Sequence, residues 1–390
     1  MYLLTNGRIV TEDGILEGFD LLIENDVIRK IGKKGTIKTI GVEKIDVKKS
    51  YIAPGFVDIH SDYIENMASP RPTSIMDFNI SLREAEKVLL NNGITTMFHS
   101  LSFYGVDIFE HKPVRKRENV IKLMDVINKT HNEKHLIRHR FHARVEIDSI
   151  DEIENIKEYI RQGNVHLLSF MDHTPGQGQY SDINLYRKIL KGYKDVSDEE
   201  IDKMVEERKN KATITVDTME EMAQLAKDKN ISIASHDDDT VEKVDFVKNL
   251  GATISEFPIT KEVAKAAQKA GMQTIAGAPN VLLGKSHAGN LSAADAIQDG
   301  CIDILCSDYY PAAMLHSIFK LNEKYGVDLY EAFKFVTINP AKAVKMDHLI
   351  GSIKEGKKAD LLIIEKLDEI PVVTSVFVDG KMISKINYRI

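Results

Sequence analysis

Six residues in this chain carry side chains suited to holding a divalent ion: His60, Asp62, Glu146, His173, His236 and Asp308. Imidazole nitrogen and carboxylate oxygen together suit Zn²⁺, Mn²⁺ or Fe²⁺ better than Ca²⁺. Each lies at or near the end of a stretch that reads as an apolar strand. Successive side chains of a strand point to opposite faces. In Phe56-Val57-Asp58-Ile59-His60-Ser61-Asp62, positions 58, 60 and 62 therefore share one face, and Val57 and Ile59 should face the other way, toward covering helices. Farther on, Arg140, His142, Arg144 and Glu146 form a polar row opposite Phe141, Ala143, Val145 and Ile147. Buried charge without partners is costly. That row is either an internal arginine–glutamate layer or a metal-binding carboxylate at Glu146 flanked by cations. Asp172-His173, His236 and Asp308 close three more stretches. Six ligands exceed the four of a structural zinc site and suit two ions about 3.5–4 Å apart, with Glu146 as a bridge.

Positioning these residues requires a scaffold that brings many strand ends to one place. Residues 54–349 alternate apolar strands with amphipathic helices. Strands are expected at 56–62, 94–99, 140–147, 165–173, 231–236, 252–256, 273–277 and 302–308. Helices are expected at Ser81–Asn91, Ile150–Arg161, Met219–Lys229 and Thr260–Lys269, among others. Eight strand–helix units in about 300 residues match a parallel (β/α)₈ TIM barrel, whose sites sit at the C-terminal ends of the strands. An open doubly wound sheet fits less well, because no Gly-x-Gly-x-x-Gly follows the first strand. Before Pro54 there is no helical period. Leu3–Val10 reads as two strands around Asn6-Gly7, and Asp20–Ile28 repeats the pattern. After Gly351, strands at 359–364 and 372–378 lead to an Asp379-Gly380 turn. The expected organisation is an α/β barrel at 54–349 with a small β-sandwich domain assembled from 1–53 and 350–390. A long insertion at 174–216 carries a capping-box helix start, Ser197-Asp198-Glu199-Glu200. It is either a lid over the barrel mouth or a solvated arm.

Composition sets outer bounds. The chain has 390 residues, 43 % hydrophobic and 28 % charged, with net charge −7. A mildly acidic chain makes a poor binder of nucleic acid, though a local cluster of cations can still hold a small anionic substrate. Cys301 and Cys306 lie too close together on one stretch for an easy disulfide and read as reduced core residues of a cytoplasmic protein. The N-terminus lacks a signal-peptide pattern, and no apolar run approaches the roughly 18 residues that span a bilayer, so no membrane association is expected. Gly284-Lys285-Ser286 resembles a P-loop tail, but Pro279 stands where the first glycine is required. There is no Gly-x-Ser-x-Gly elbow.

Taken together these residues resemble the amidohydrolase superfamily. Its signature is Pro-Gly-x-x-Asp-x-His-x-His on the first strand, histidines on later strands and an aspartate ending the eighth. Here Pro54-Gly55 begins that signature, and Asp62 stands where the second histidine is usual. A narrower resemblance is to the phosphonate-metabolism branch. It rests on Ile59–Glu65 with Pro70-Arg71-Pro72, Arg144-Val145-Glu146, Met171–Gln177, Ser235–Asp238, Gly277–Val281, Gly284–Asn290 and Ser307–Pro311. His99 departs from the pattern at a position where an acidic residue is expected near the ligands.

The resemblance implies a metal-dependent diphosphatase with one or two zinc ions, or manganese or iron. It would act on α-D-ribose 1-methylphosphonate 5-triphosphate, releasing pyrophosphate and leaving the 5-phosphate. Asp308 would orient the attacking water and take its proton, and either His287 or His173 would protonate the leaving group. Substrate contacts would come from Glu65, Arg71, Arg140, Arg144, Lys285, Ser286 and Asn290, the cations matching a triphosphate. Two other readings fit the same scaffold. One is a hydrolase of a carbon–nitrogen bond; the other is a non-enzymatic oligomer, which would ordinarily have lost ligands. A homo-oligomer is compatible with all three.

Overall fold

The computed structural model describes residues 1–103, 113–178, 191, 197–284 and 291–389, without the side chains of Arg208 and Lys209. Its centre is an eight-stranded parallel sheet in strictly sequential order. The strands are β1 (Phe56–Ser61), β2 (Ile94–Phe103), β3 (Arg138–Glu146), β4 (Leu167–Met171), β5 (Ser232–His236), β6 (Ile254–Glu256), β7 (Gln273–Gly277) and β8 (Ile304–Cys306). Seven ladders join neighbours from β1 to β8. The ring closes between β8 and β1 through a single bridge, Ser61 to Asp308. Helices fill the crossovers where the apolar period placed them, including Phe78–Asn91, Ile153–Arg161, Val216–Asp228 and Lys261–Lys269. Thr215, Thr240 and Thr260 cap their helices by accepting a backbone N–H, which satisfies one of the donors a helix start leaves open. No helix among the described residues is long and apolar enough to cross a membrane.

The first strand departs from simple alternation. Val57 and Ile59 do not face the helices. They join Phe98, Leu167, Ala234, Ile254, Ile275, Ile304 and Cys306 in one buried cluster inside the ring, floored by Ala341, Ala343 and Ile350. Register shifts at Phe56/Val57 and between Asp58 and Ser61 break the two-residue period. His60 still reaches the interior, above this apolar floor, where its ring meets His142 and His236 at centroid distances of 5.3 Å each.

Both chain ends build the remaining sheets. One has four strands, all from the N-terminus; the other has six and mixes N-terminal strands with Leu361–Leu367, Ile370–Val378 and Lys381–Lys385. Leu361 pairs with Pro54, and Ile363 with Ile52. The two sheets share one apolar core that includes Leu4, Ile9, Leu21, Ile52, Leu361 and Phe377. The Asn6-Gly7 turn does not make a hairpin. Tyr2–Thr5 pairs within the four-stranded sheet and Arg8–Thr11 within the six-stranded one, so the turn carries the chain from one layer to the other. Asp379-Gly380 does make a hairpin, with both residues at positive φ (46° and 71°). Arg138 of β3 ties this region to the barrel through ion pairs with Asp360 and Asp379.

Cys301 and Cys306 are buried free thiols, and Cys301 precedes β8 rather than lying on it. Ser197 and Glu200 form the expected reciprocal cap, the Ser197 N–H donating to Glu200 Oε2 at 2.8 Å. Much of the remaining insertion, 179–190 and 192–196, lies outside the described residues.

Because the six-stranded sheet needs strands from both ends, limited proteolysis should not release residues 1–53 as a separate folded fragment. A stable N-terminal fragment on a native gel would contradict this pairing.

Candidate metal centre

The C-terminal ends of β1, β3, β4, β5, β6 and β8 bring a continuous polar network together. The Glu146 carboxylate at the end of β3 accepts from the His173 backbone N–H at 2.7 Å and lies 2.7 Å from His173 Nδ1. The His173 ring packs edge-on against His236, with centroids 5.6 Å apart. One guanidinium N–H of Arg144 points at His236 Nε2 (3.0 Å), and His236 Nδ1 lies 2.9 Å from Asp237 Oδ2. His60 Nδ1 lies 2.9 Å from Glu256 Oε1. A neutral histidine facing a carboxylate through one nitrogen carries its proton there, leaving Nε2 of His60 as a lone-pair donor.

Asp308 joins the network through the main chain. Its N–H donates to the His60 carbonyl at 3.2 Å, and its carbonyl accepts from the Asp62 N–H at 3.1 Å. Asp62 and Glu65 converge on Arg115, whose Nε lies 2.8 and 3.0 Å from the two Glu65 oxygens and whose Nη2 is 3.5 Å from Asp62. Asp237, Phe257 and Asp308, which follow β5, β6 and β8, all have left-handed φ values of 52–56°. Such backbone is disfavoured for residues other than glycine and clusters at functional sites.

Burial sets the protonation states. It holds His60 well below the usual histidine range, His236 down to about 4 and His142 down to about 3. Neutral imidazoles are the form a metal ion binds. Burial, then the neighbouring Asp62 carboxylate, pushes Asp308 up to about 7. Burial likewise raises Glu256.

Donor atoms of His60, His236 and Glu256 lie within 4.8 Å of one another, as do those of His173, His236 and Asp237, and all five residues are buried. Among the described residues, Glu256 Oε2 is a buried oxygen with no hydrogen-bond partner. A buried carboxylate oxygen with no donor is costly unless a cation meets it. The donor set therefore fits a divalent ion of the borderline type.

Of the residues singled out from sequence, His60, Glu146, His173, His236, Arg144, Asp62 and Asp308 come together here. Arg71 is exposed on the loop after the first helix beyond β1. Glu65 is buried against Arg115. Arg140 is placed elsewhere: it sits six residues back from Glu146, about 20 Å along an extended strand, with its guanidinium on the His139 carbonyl. His99 also faces away, its Nε2 2.9 Å from His139 Nδ1, and His139 meets Glu86 on a covering helix. Lys285, Ser286, His287 and Asn290 lie outside the described residues.

Sequence reasoning missed Glu256, Asp237 and Arg115. Glu256 could have been found by asking which residue ends each strand. Asp237 follows a ligand directly, as Asp172 precedes one. Arg115 lies on a short turn, Pro113–Arg115, and had no signal.

The chain matches the amidohydrolase family over residues 51–383. The chain belongs to the amidohydrolase family. It is 30 % identical over 385 residues to the alpha-D-ribose 1-methylphosphonate 5-triphosphate diphosphatase of Escherichia coli (strain K12), covering 98 % of this chain and 100 % of that protein. A shorter stretch, 83 residues, is 32 % identical to adenine deaminase 1 of Desulfotalea psychrophila, covering 21 % of this chain and 14 % of that protein. Among solved structures, N-acetylglucosamine-6-phosphate deacetylase from Pasteurella multocida superposes with TM-score 0.66 at 13 % identity, covering 98 % of this chain and 99 % of that one. Dihydropyrimidinase from Brevibacillus agri NCHU1002 gives 0.66 at 12 % identity, covering 98 % and 95 %. These two likenesses show the shared fold. Amidohydrolases use a divalent metal, and this one is a metal-dependent hydrolase with candidate donors in the expected part of its barrel.

Glu256→Ala should lower divalent-ion affinity at least about 10–100-fold, because it removes a candidate donor and the carboxylate that orients His60. Chelator competition followed by elemental analysis measures this, and wild-type affinity would remove Glu256 from the site. Arg115→Ala removes the guanidinium that meets the buried Glu65 carboxylate and should cost about 3 kcal/mol of stability. A denaturation midpoint unchanged from wild type would show that the ion pair contributes nothing.

Proposed function

We propose that this amidohydrolase cleaves α-D-ribose 1-methylphosphonate 5-triphosphate to the 5-phosphate and pyrophosphate, a step of phosphonate catabolism in the carbon–phosphorus lyase pathway. The observation that carries this reading is the 30 % identity to a diphosphatase of that specificity along nearly the whole of both chains. The residues at the barrel mouth support it.

His60, His236 and Glu256, with Asp62, Glu146, His173 and Asp308 around them, are the residues that would hold one or two divalent ions, zinc or else manganese or iron. When bound, such an ion supplies Lewis-acid charge for the phosphoryl oxygens and lowers the pKa of water toward about 7. The chain's own residues do the rest. The Asp308 carboxyl, raised to about 7 by burial, is matched to accept a proton from the attacking water near neutral pH. Water attacks the α-phosphorus in line, the bond from that phosphorus to the bridging oxygen breaks, and pyrophosphate departs. Arg144, buried at the network's centre, offers fixed guanidinium charge to the α-phosphate, and Arg71 on the rim offers it to the distal phosphates. His173 or His287 would supply the proton to pyrophosphate.

Phosphorus NMR on the purified protein with the ribose triphosphate should show pyrophosphate and a 5-phosphate accumulating together. No turnover there, with turnover of N-acyl amino acids instead, would replace this reading by carbon–nitrogen hydrolysis. Asp308→Asn should lower kcat by at least 100-fold; wild-type turnover would remove it as the base. Arg71→Ala should raise KM with kcat little changed, and an unchanged KM would take it out of the site.

A further inference from the structure

The boundary between β8 and β1 is built differently from the other seven. Each of those is a ladder of backbone pairs, whereas here the strands share one bridge. Lower down, the backbone of another segment wedges between them: the Val57 N–H donates to the Val336 carbonyl (2.9 Å) and the Leu305 N–H to the Phe335 carbonyl (2.8 Å). Higher up, side chains take over. Asp58 Oδ1 accepts from the Ser307 N–H at 3.2 Å and from the His60 N–H at 3.4 Å. The Ser307 hydroxyl lies 2.9 Å from the Ser61 hydroxyl, which donates to the Asp308 carbonyl at 2.6 Å. Ser100 of β2 holds the Ser61 N–H at 3.1 Å. Asp58, Ser61, Ser100 and Ser307 are all at most 1 % exposed.

We infer that Asp58, Ser61 and Ser307 form a positioning clasp across this seam, setting where Asp308 stands relative to His60 and Asp62. The argument is geometric. His60 and Asp62 are on one side of the seam and Asp308 on the other, and one backbone bridge, in place of a ladder, joins them. The Asp308 carbonyl takes two bonds, from Ser61 and Asp62, which locks a residue whose φ of 56° is otherwise disfavoured. Hydroxyls suit this position because each can donate and accept, and so link groups whose spacing matches no regular ladder. Misplacing a reacting group by about 1 Å can cost on the order of 100-fold in rate. The clasp thus acts on the proposed base through the backbone and touches no substrate. This inference rests on the proposed roles of His60 and Asp308, and the metal arm of its test is independent of the substrate.

The test uses Ser307→Ala and Ser61→Ala, singly and together, in the full chain loaded with Co²⁺. The expected result is a shifted visible absorption of bound Co²⁺ at unchanged stoichiometry. With the triphosphate, kcat should fall about 10–100-fold and KM stay within about twofold. The double variant should lose less than the product of the two single losses, because the two hydroxyls share one bond. Ser307→Thr, which keeps the hydroxyl, should restore the wild-type Co²⁺ spectrum and most of kcat. Should a serine variant fail to fold, Asp58→Asn, which retains the accepting oxygen, should keep the wild-type spectrum while Asp58→Ala shifts it. Variants that lower only the melting temperature, with spectrum and kcat unaltered, would overturn the clasp and leave it a packing feature. Wild-type protein that fails on the triphosphate yet shows the predicted spectral shifts would retain the clasp and remove the proposed substrate.

Discussion

Everything at the mouth of this barrel is governed by the cost of keeping acidic groups out of water. Asp58, Glu146, Asp237 and Glu256 are each at most 5 % exposed, and they share the interior with His60, His142, His173 and His236. Burial holds His60, His142 and His236 neutral there, so these three cannot balance the carboxylates. Arg144 meets His236, and Arg115 is committed to Asp62 and Glu65. A divalent cation is the partner that resolves this arrangement, and an anionic substrate becomes acceptable once that cation and the arginines are present.

The scaffold makes the arrangement affordable. Apolar side chains from seven of the eight strands fill the lower half of the ring, and β3 contributes His142, whose two nitrogens are met by Ser100 and Ser169. Above that layer β1, β5, β6 and β7 each have two residues left before their loops, so side chains from distant parts of the sequence become neighbours. Left-handed backbone after β5, β6 and β8 turns the chain sharply at the rim. The sandwich formed by both termini anchors the opposite end, where Arg138 meets Asp360 and Asp379.

Much of this was legible in the sequence, for reasons that are local. Apolar runs of five to ten residues separated by amphipathic helices specify parallel strands and crossovers, and His60, His173, His236 and Asp308 each close such a run. What escaped depended on departures from regularity or on long-range pairing. Two register shifts in β1 turned Val57 and Ile59 inward, and no alternation rule anticipates a bulge. Arg140 follows the same parity as Arg144, but parity says nothing about depth along the strand, and depth separates it from the mouth. Glu256 ends a strand of only three residues, too short for a pattern to stand out. Arg115 meets Asp62 across 53 positions of sequence. Asn6-Gly7 carried a hairpin signal, yet its flanking strands found partners in different sheets, because each had a better apolar face to cover.

The central claim is that His60 and His236 are ligands of one divalent ion at the end of the first and fifth barrel strands. Anomalous diffraction at the zinc edge, from crystals of the protein grown with zinc, tests it directly. A peak about 2.0–2.1 Å from a nitrogen of each of the two histidines is the predicted outcome. A fully occupied ion elsewhere in the molecule, with none between these two rings, would contradict it.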